Sequence, residues 1–178
     1  MAEGAGNHFE INPVTHITTG FIGQPGKRVF YLQAHDGPHL VTLIVEKQHI
    51  EALAYGIEQF LTELQKKFPE LPEALADYSP DSMALEVPLD PAFRVGQLGL
   101  GYDQERDLLV LVAQEVVAEE ADPAEAAAAR FFATRSQMRA LGQYGLLLVK
   151  QGRPTCGNCG QPIDPEGHFC PRSNGHAH

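Results

Sequence analysis

The chain has 178 residues and a net charge of −10, with 43% hydrophobic and 20% charged residues. That is the composition of a globular domain large enough to build a core without disulfide staples. The acidity argues against a general nucleic-acid coat or an anionic membrane surface as partner. No apolar run approaches a membrane span, and Met1-Ala2-Glu3-Gly4 lacks the blocks of a signal peptide, so a soluble cytoplasmic protein is expected.

In chain order, strands come first. His16 to Ile22 reads as a strand closed by a turn at Gln24-Pro25-Gly26. Val29-Phe30-Tyr31-Leu32 and Leu40 to Val45 are rich in β-branched and aromatic residues, and His35-Asp36-Gly37-Pro38 between them signals a hairpin. From Glu46 to Phe68 the period becomes helical: Ile50, Leu53, Ala54, Ile57, Leu61, Leu64 and Phe68 form one stripe, ended by Pro69 and Pro72. Residues 69–92 read as a proline-rich connection with a short strand at Leu85 to Val87.

Phe93 to Tyr102 and Leu108 to Val117 are the next strands, joined by a turn at residues 103–107. In the first of these strands the apolar phase slips at Gly96 and Gly99, which predicts a bulge or a close backbone approach. Leu108 to Val112 is apolar on both faces and is expected at the sheet centre. Residues 122–150 admit two readings. Asp122-Pro123-Ala124-Glu125 can cap a helix, but Thr134-Arg135-Ser136-Gln137 is a second capping box. The preferred reading is a loop at 121–127, a strand from Arg130 to Ala133 and a helix from Arg135 to Val149.

Val45 to Leu53 then aligns with Ala133 to Leu141 at an offset of 88. This suggests two β-β-β-α halves sharing one sheet or barrel. The expected class is α+β: a mostly antiparallel sheet or barrel over residues 1–150, two main helices, and a small zinc-ribbon-like tail over 151–178.

The chemical signal lies in that tail. Cys156-Gly157-Asn158-Cys159 is a C-x-x-C knuckle, followed by His168-Phe169-Cys170, and the chain has no other cysteine. Three thiolates and one imidazole suit tetrahedral Zn²⁺, and four protein ligands make a structural site. Cys156, Cys159, His168 and Cys170 are the expected zinc ligands, with His176 or His178 as alternatives to His168. A redox C-x-x-C is disfavoured because Gly160 and the prolines after it do not open a helix.

Other constellations carry less. His49-x-Glu51 with the knuckle falls short of a nucleobase deaminase pattern, because Thr155 separates Pro154 from the cysteine. Gly20 to Lys27 has the wrong spacing for a P-loop, and His35 and His39 flank a hairpin where polar residues are ordinary. The charge, finally, is uneven. Residues 130–178 hold six basic and two acidic groups, a net of +4, so the first 129 residues carry −14. A mildly basic C-terminal edge would admit an anionic ligand.

The tail from Gly152 to Gly175, with Gly23-Gln24-Pro25-Gly26-Lys27-Arg28, Phe30 to Ala34, Glu46-Lys47-Gln48 and Thr134 to Gln137, resembles the uncharacterised bacterial domain-of-unknown-function family three-zero-nine-zero. The resemblance covers nearly the whole chain. It implies the same four metal ligands and the short strand before the second helix. It also implies gene neighbours that look like a kinase and a histidine phosphatase, which points to phosphate metabolism or signalling.

The expected function is therefore a non-enzymatic, zinc-carrying binding or adaptor protein. Its partner would be a protein or an anionic ligand. The rivals are an enzyme acting on a phosphorylated small molecule or nucleotide, with Lys27 and Arg28 as anion contacts, and nucleic-acid binding through the ribbon.

Overall fold

A computed structural model describes residues 7–151 apart from residue 25; the expected zinc ligands and the whole tail lie outside the described residues. The elements run β1 (His8–Ile11), β2 (His16–Ile22), β3 (Val29–Asp36), β4 (His39–Val45), α1 (Lys47–Lys67), β5 (Pro91–Asp103), β6 (Leu108–Glu115), β7 (Ala128–Thr134) and α2 (Arg135–Val149). Short 3₁₀ turns lie at Asp81–Met83 and Pro123–Glu125. The fold is α+β, with one mixed sheet in the order β1-β7-β6-β5-β4-β3-β2.

Two triplets of antiparallel strands, each followed by a helix, make up most of that sheet. They join where β4 and β5 run parallel over Thr42–Ile44 and Pro91–Arg94. The two helices start 88 residues apart, at Lys47 and Arg135, each behind a reciprocal cap. At α2, Gln137 N–H donates to Thr134 Oγ1 at 3.0 Å and Thr134 N–H donates to Gln137 Oε1 at 2.8 Å. At α1, Glu46 N–H donates to His49 Nδ1 at 3.0 Å. Each cap satisfies backbone donors that a helix start leaves without partners.

The sheet is open, not a barrel: among the described residues the edge strands β1 and β2 share no ladder. It must nevertheless curl. Laid flat, seven strands would separate β1 from β2 by roughly 29 Å at the usual strand spacing. The chain from Ile11 to His16 reaches at most about 18 Å. Curling brings both ends to this link, where Val14 N–H bonds Phe132 O and Thr15 N–H bonds His35 O, both at 2.8 Å. α2 then leaves β7 and packs on β2 at the other end of the strand order.

The concave face is the core. Register places Ile17 and Thr19, Leu32 and Ala34, Val41 and Leu43, Leu109 and Leu111, and Phe131 and Ala133 on it, all buried. The helices lie against it and against each other. A Cβ at Gly142 would sit 3.3 Å from Ala54 Cα, and one at Gly145 would sit 2.7 Å from Ile50 Cγ2. Glycine is what lets α2 settle this close, outweighing its cost of about 1 kcal/mol inside a helix.

The connection between α1 and β5 wraps the outer face of β2 and β3. Thr18 Oγ1 donates to Met83 O at 2.6 Å, and Leu85 occupies the space a Cβ on Gly20 would need. The expected strand at Leu85 to Val87 is absent. The buried Gln33 amide takes its place: Gln33 Nε2 donates to Glu86 O at 3.0 Å and Glu86 N–H donates to Gln33 Oε1 at 2.8 Å. One side-chain amide thereby supplies the bonds that a neighbouring strand would have made.

The phase slip in β5 is a bulge, with the register shifting between Val95 and Gln97. A Cβ on Gly96 would meet Val116 Cα at 2.8 Å, so glycine is required there. β5, not β6, is the middle strand of the seven; β6 is interior one place away. β1 is an addition to the expected strands, pairing in parallel with β7.

If the α1–α2 approach holds the core together, Gly145→Val should destabilise the protein by about 2–3 kcal/mol through overpacking. Chemical denaturation of that variant beside Gln143→Ala, an exposed control on the same helix, measures the difference; equal stabilities would contradict the reading.

Candidate functional site

Three depressions among the described residues differ in their chemistry. The largest, about 440 Å³, lies between α1, α2 and residues 71–74, and Arg135 and Arg139 line it. Both guanidiniums are spent internally. Arg135 donates through Nε and Nη2 to Asp107 at 2.8 and 3.0 Å, and through Nη1 to Pro72 O at 2.6 Å. Arg139 donates through Nε and Nη2 to Glu58 at 2.9 and 2.8 Å, and through Nη1 to Ala74 O at 2.7 Å. These fork-shaped pairs strap the connecting loop across the two helices, and they leave no guanidinium free to clamp an anion.

The second depression, about 200 Å³, is where three segments meet: the turn ending at Arg28, the start of α1, and the end of α2. Arg28, Phe30, Glu46, Lys47, Val149 and Gln151 line it. The turn is shaped by Gly23 and Gly26, whose φ values are +113° and +84°, where a side chain is strained. Arg28 does not project as a free anion contact. Its guanidinium lies 4.0 Å from the centre of the Phe21 ring and donates to Gln151 O. That contact holds the end of α2 to the first half of the molecule, at the point where the chain leads into the cysteine-bearing tail.

The third, about 410 Å³, is a groove between α1 and β5, lined by His49, Ala52, Leu53 and Gly56 on the helix and Gly96 to Leu100 on the strand. His49 lines one end. Its Nδ1 accepts from Glu46 N–H, so Nε2 carries the proton and donates to Gly96 O at 3.2 Å. His49 is thus a capping residue. Among the described residues no group of three His, Cys, Asp or Glu side chains is placed to hold a metal. The His16 and His35 rings lie 5.5 Å apart, tilted by 36°, and Glu86 Oε1 lies 3.6 Å from His35 Nε2, while His39 is exposed at the hairpin.

The basic C-terminal third is less available than its count suggests. Of its six basic residues, Arg130 pairs with Glu10, Arg135 with Asp107 and Arg139 with Glu58. Each acid comes from an earlier part of the chain, so the surplus of one segment offsets the deficit of the other. Arg153 and Arg172 lie outside the described residues, and Lys150 is exposed.

The Asp107 cluster is the strongest electrostatic feature. Asp107 holds φ = +54°, a conformation Asp tolerates better than most residues. It accepts from Arg135 and from Tyr102 Oη at 2.7 Å. The Arg135 hydrogen bonds draw its carboxyl below the ordinary Asp range, against an opposing push from burial. Burial, then the bond to Asp107, push Tyr102 up to about 12. A carboxylate whose folded pKa is depressed contributes stability above its unfolded pKa, near 3.9, and loses it as pH falls through the folded value. Asp107→Asn keeps the backbone preference and should cost about 1–2 kcal/mol at pH 7. It should also flatten the loss of stability below about pH 4, measured by urea unfolding across pH. An unchanged acid limb would contradict the assignment.

Comparison with known proteins adds one firm result. No curated protein and no solved structure matches the chain. No helix among the described residues is long and apolar enough to cross a membrane. The model of a family described as "Protein of unknown function (DUF3090)" matches residues 9–170, a span that runs through the body and reaches Cys170. The chain is a member of the DUF3090 family.

Proposed function

We propose that this protein is a zinc-carrying binding protein, in which an α+β body supports a C-terminal ribbon that contacts a partner protein. The observation that carries the reading is the Cys156-x-x-Cys159 and His168-x-Cys170 pattern, which holds every cysteine of the chain within 15 residues. Three thiolates and an imidazole fill a tetrahedral shell and leave no open position for substrate, so the metal's role is structural. The family match extends through all four residues.

The body is suited to carrying such a tail. Its buried core runs from Ile11 to Val149, and the Arg28 contact to Gln151 O fixes the last turn before the tail. A protein partner is favoured over an anionic ligand. The Arg135 and Arg139 guanidiniums are paired inside the body, and Arg28 is stacked on Phe21. Zn²⁺ with three thiolates and a neutral imidazole carries a net −1, which further reduces the pull on anions.

Purified full-length protein should contain about one zinc per chain. Cys159→Ser should lose it, and a strong chelator should remove it from the native protein. Because the body buries a core of its own among the described residues, from Ile11 to Val149, its thermal midpoint should move by no more than about 2 °C in either case. Full-length protein without zinc would refute the reading. Collapse of the body on chelation would instead make the metal part of the main fold.

A further inference from the structure

We infer that the groove between α1 and β5 is a strand-addition site, and that its occupant is the chain's own C-terminal segment, within residues 152–178. The first ground is backbone chemistry. β5 is the longest strand, yet its ladder with β4 covers only Pro91 to Arg94. From Val95 to Asp103 its pairing is with β6 alone. β4 ends at Val45, and the chain turns into α1 where the next ladder residues would have been. Along a strand with one neighbour, alternate residues direct N–H and C=O toward the empty side. At the Gly96 bulge that demand is met by His49 Nε2–H. Beyond it, no backbone or side-chain bond among the described residues reaches the α1 side of Gln97 to Leu100. An extended peptide brings donors and acceptors at the spacing of such a row.

The second ground is shape. Ala52 and Gly56 on α1, with Gly96 and Gly99 on β5, keep the groove walls low. The fold does not require two of these residues to be small. A Cβ at Gly56 would meet nothing nearer than Leu100 Cδ1 at 3.7 Å, and one at Gly99 would meet nothing within 4 Å. Glycine inside a helix and inside a strand weakens both. Gly56 faces the Leu100 side of β5, and Gly99, which pairs with Val112, faces the other side, so the backbone edge between them is left uncrowded. Leu98 and Leu100 are half-buried at its floor, while Gly96, Gln97 and Gly99 are exposed.

The third ground is where the described chain ends. Gln151 lines the pocket formed with Glu46, Lys47 and Gln48. His49, the next residue of α1, stands at the mouth of the groove. The chain therefore leaves α2 beside the entrance, with 27 residues of sequence to follow. Four residues laid along Gln97 to Leu100 need only about 13 Å. This inference does not depend on zinc: a strand can add whether or not the four ligands hold a metal.

The test uses the full-length chain with a benzophenone-bearing residue in place of Ala52, an exposed position on the helix wall of the groove. Irradiation at low protein concentration, followed by peptide mapping, should give crosslinks within one chain to residues 152–178. Crosslinks confined to other segments or to a second chain, or none at all, would overturn the inference. A second measurement compares full-length protein with a chain ending at Gln151, which retains the core residues found among the described residues. Amides of Gln97 to Leu100 should exchange at least tenfold more slowly in the full-length chain. Equal rates, with the same circular dichroism spectrum for both chains, would show that the tail does not cover β5.

Discussion

Four residues, Asn12 to Thr15, carry the chain from one end of the strand order to the other, and this short link governs the rest of the molecule. A flat sheet cannot satisfy it, so the sheet curls. A curled sheet has one concave face, which both helices must share. Sharing it forces their backbones together, which is the reason for glycine at positions 142 and 145. The ends of the sheet approach without exchanging ladder bonds, and Val14 and Thr15 tie them through Phe132 and His35. α2 spans the remaining gap, which puts its C-terminal end, and the tail that follows, next to the start of α1.

Electrostatics follow the same geometry. Because α2 packs inward, its arginines meet acids from earlier segments: Arg135 meets Asp107 and Arg139 meets Glu58. The third pair, Arg130 with Glu10, joins β7 to β1. A charge split drawn along the sequence separates −14 from +4, but the folded chain brings the two signs together. What looked like a basic edge is partly a set of internal straps. This moves the weight of the functional account from charge to the cysteine pattern.

Much of the architecture was legible because periodicity follows burial. The bounds of β2 and α2 match the expected ones at both ends, and α1 differs by one residue at each end, since caps and prolines punctuate these segments. The bulge at Gly96 was legible for a related reason: a strand cannot change its inward phase without an extra residue. β1 gave no such signal. It is four residues long, and its stability comes from a parallel partner about 120 positions away, which local pattern does not encode. The segment Leu85 to Val87 misled in the opposite sense. Leu85 and Val87 flank Glu86 there, but a single glutamine amide pairs with Glu86, and no strand does. The expected sheet centre at β6 was one place off, because β5 carries glycines where a middle strand usually carries branched side chains. The expected zinc ligands rest on ligand type and spacing in the sequence, and they lie outside the described residues.

The central claim is that this α+β body carries a closed Cys₃His zinc centre. X-ray absorption at the zinc edge of the full-length protein tests it most directly. The account predicts three sulfur neighbours at about 2.3 Å and one nitrogen at about 2.0–2.1 Å. A shell of nitrogen and oxygen without sulfur, or the absence of bound zinc, would contradict it.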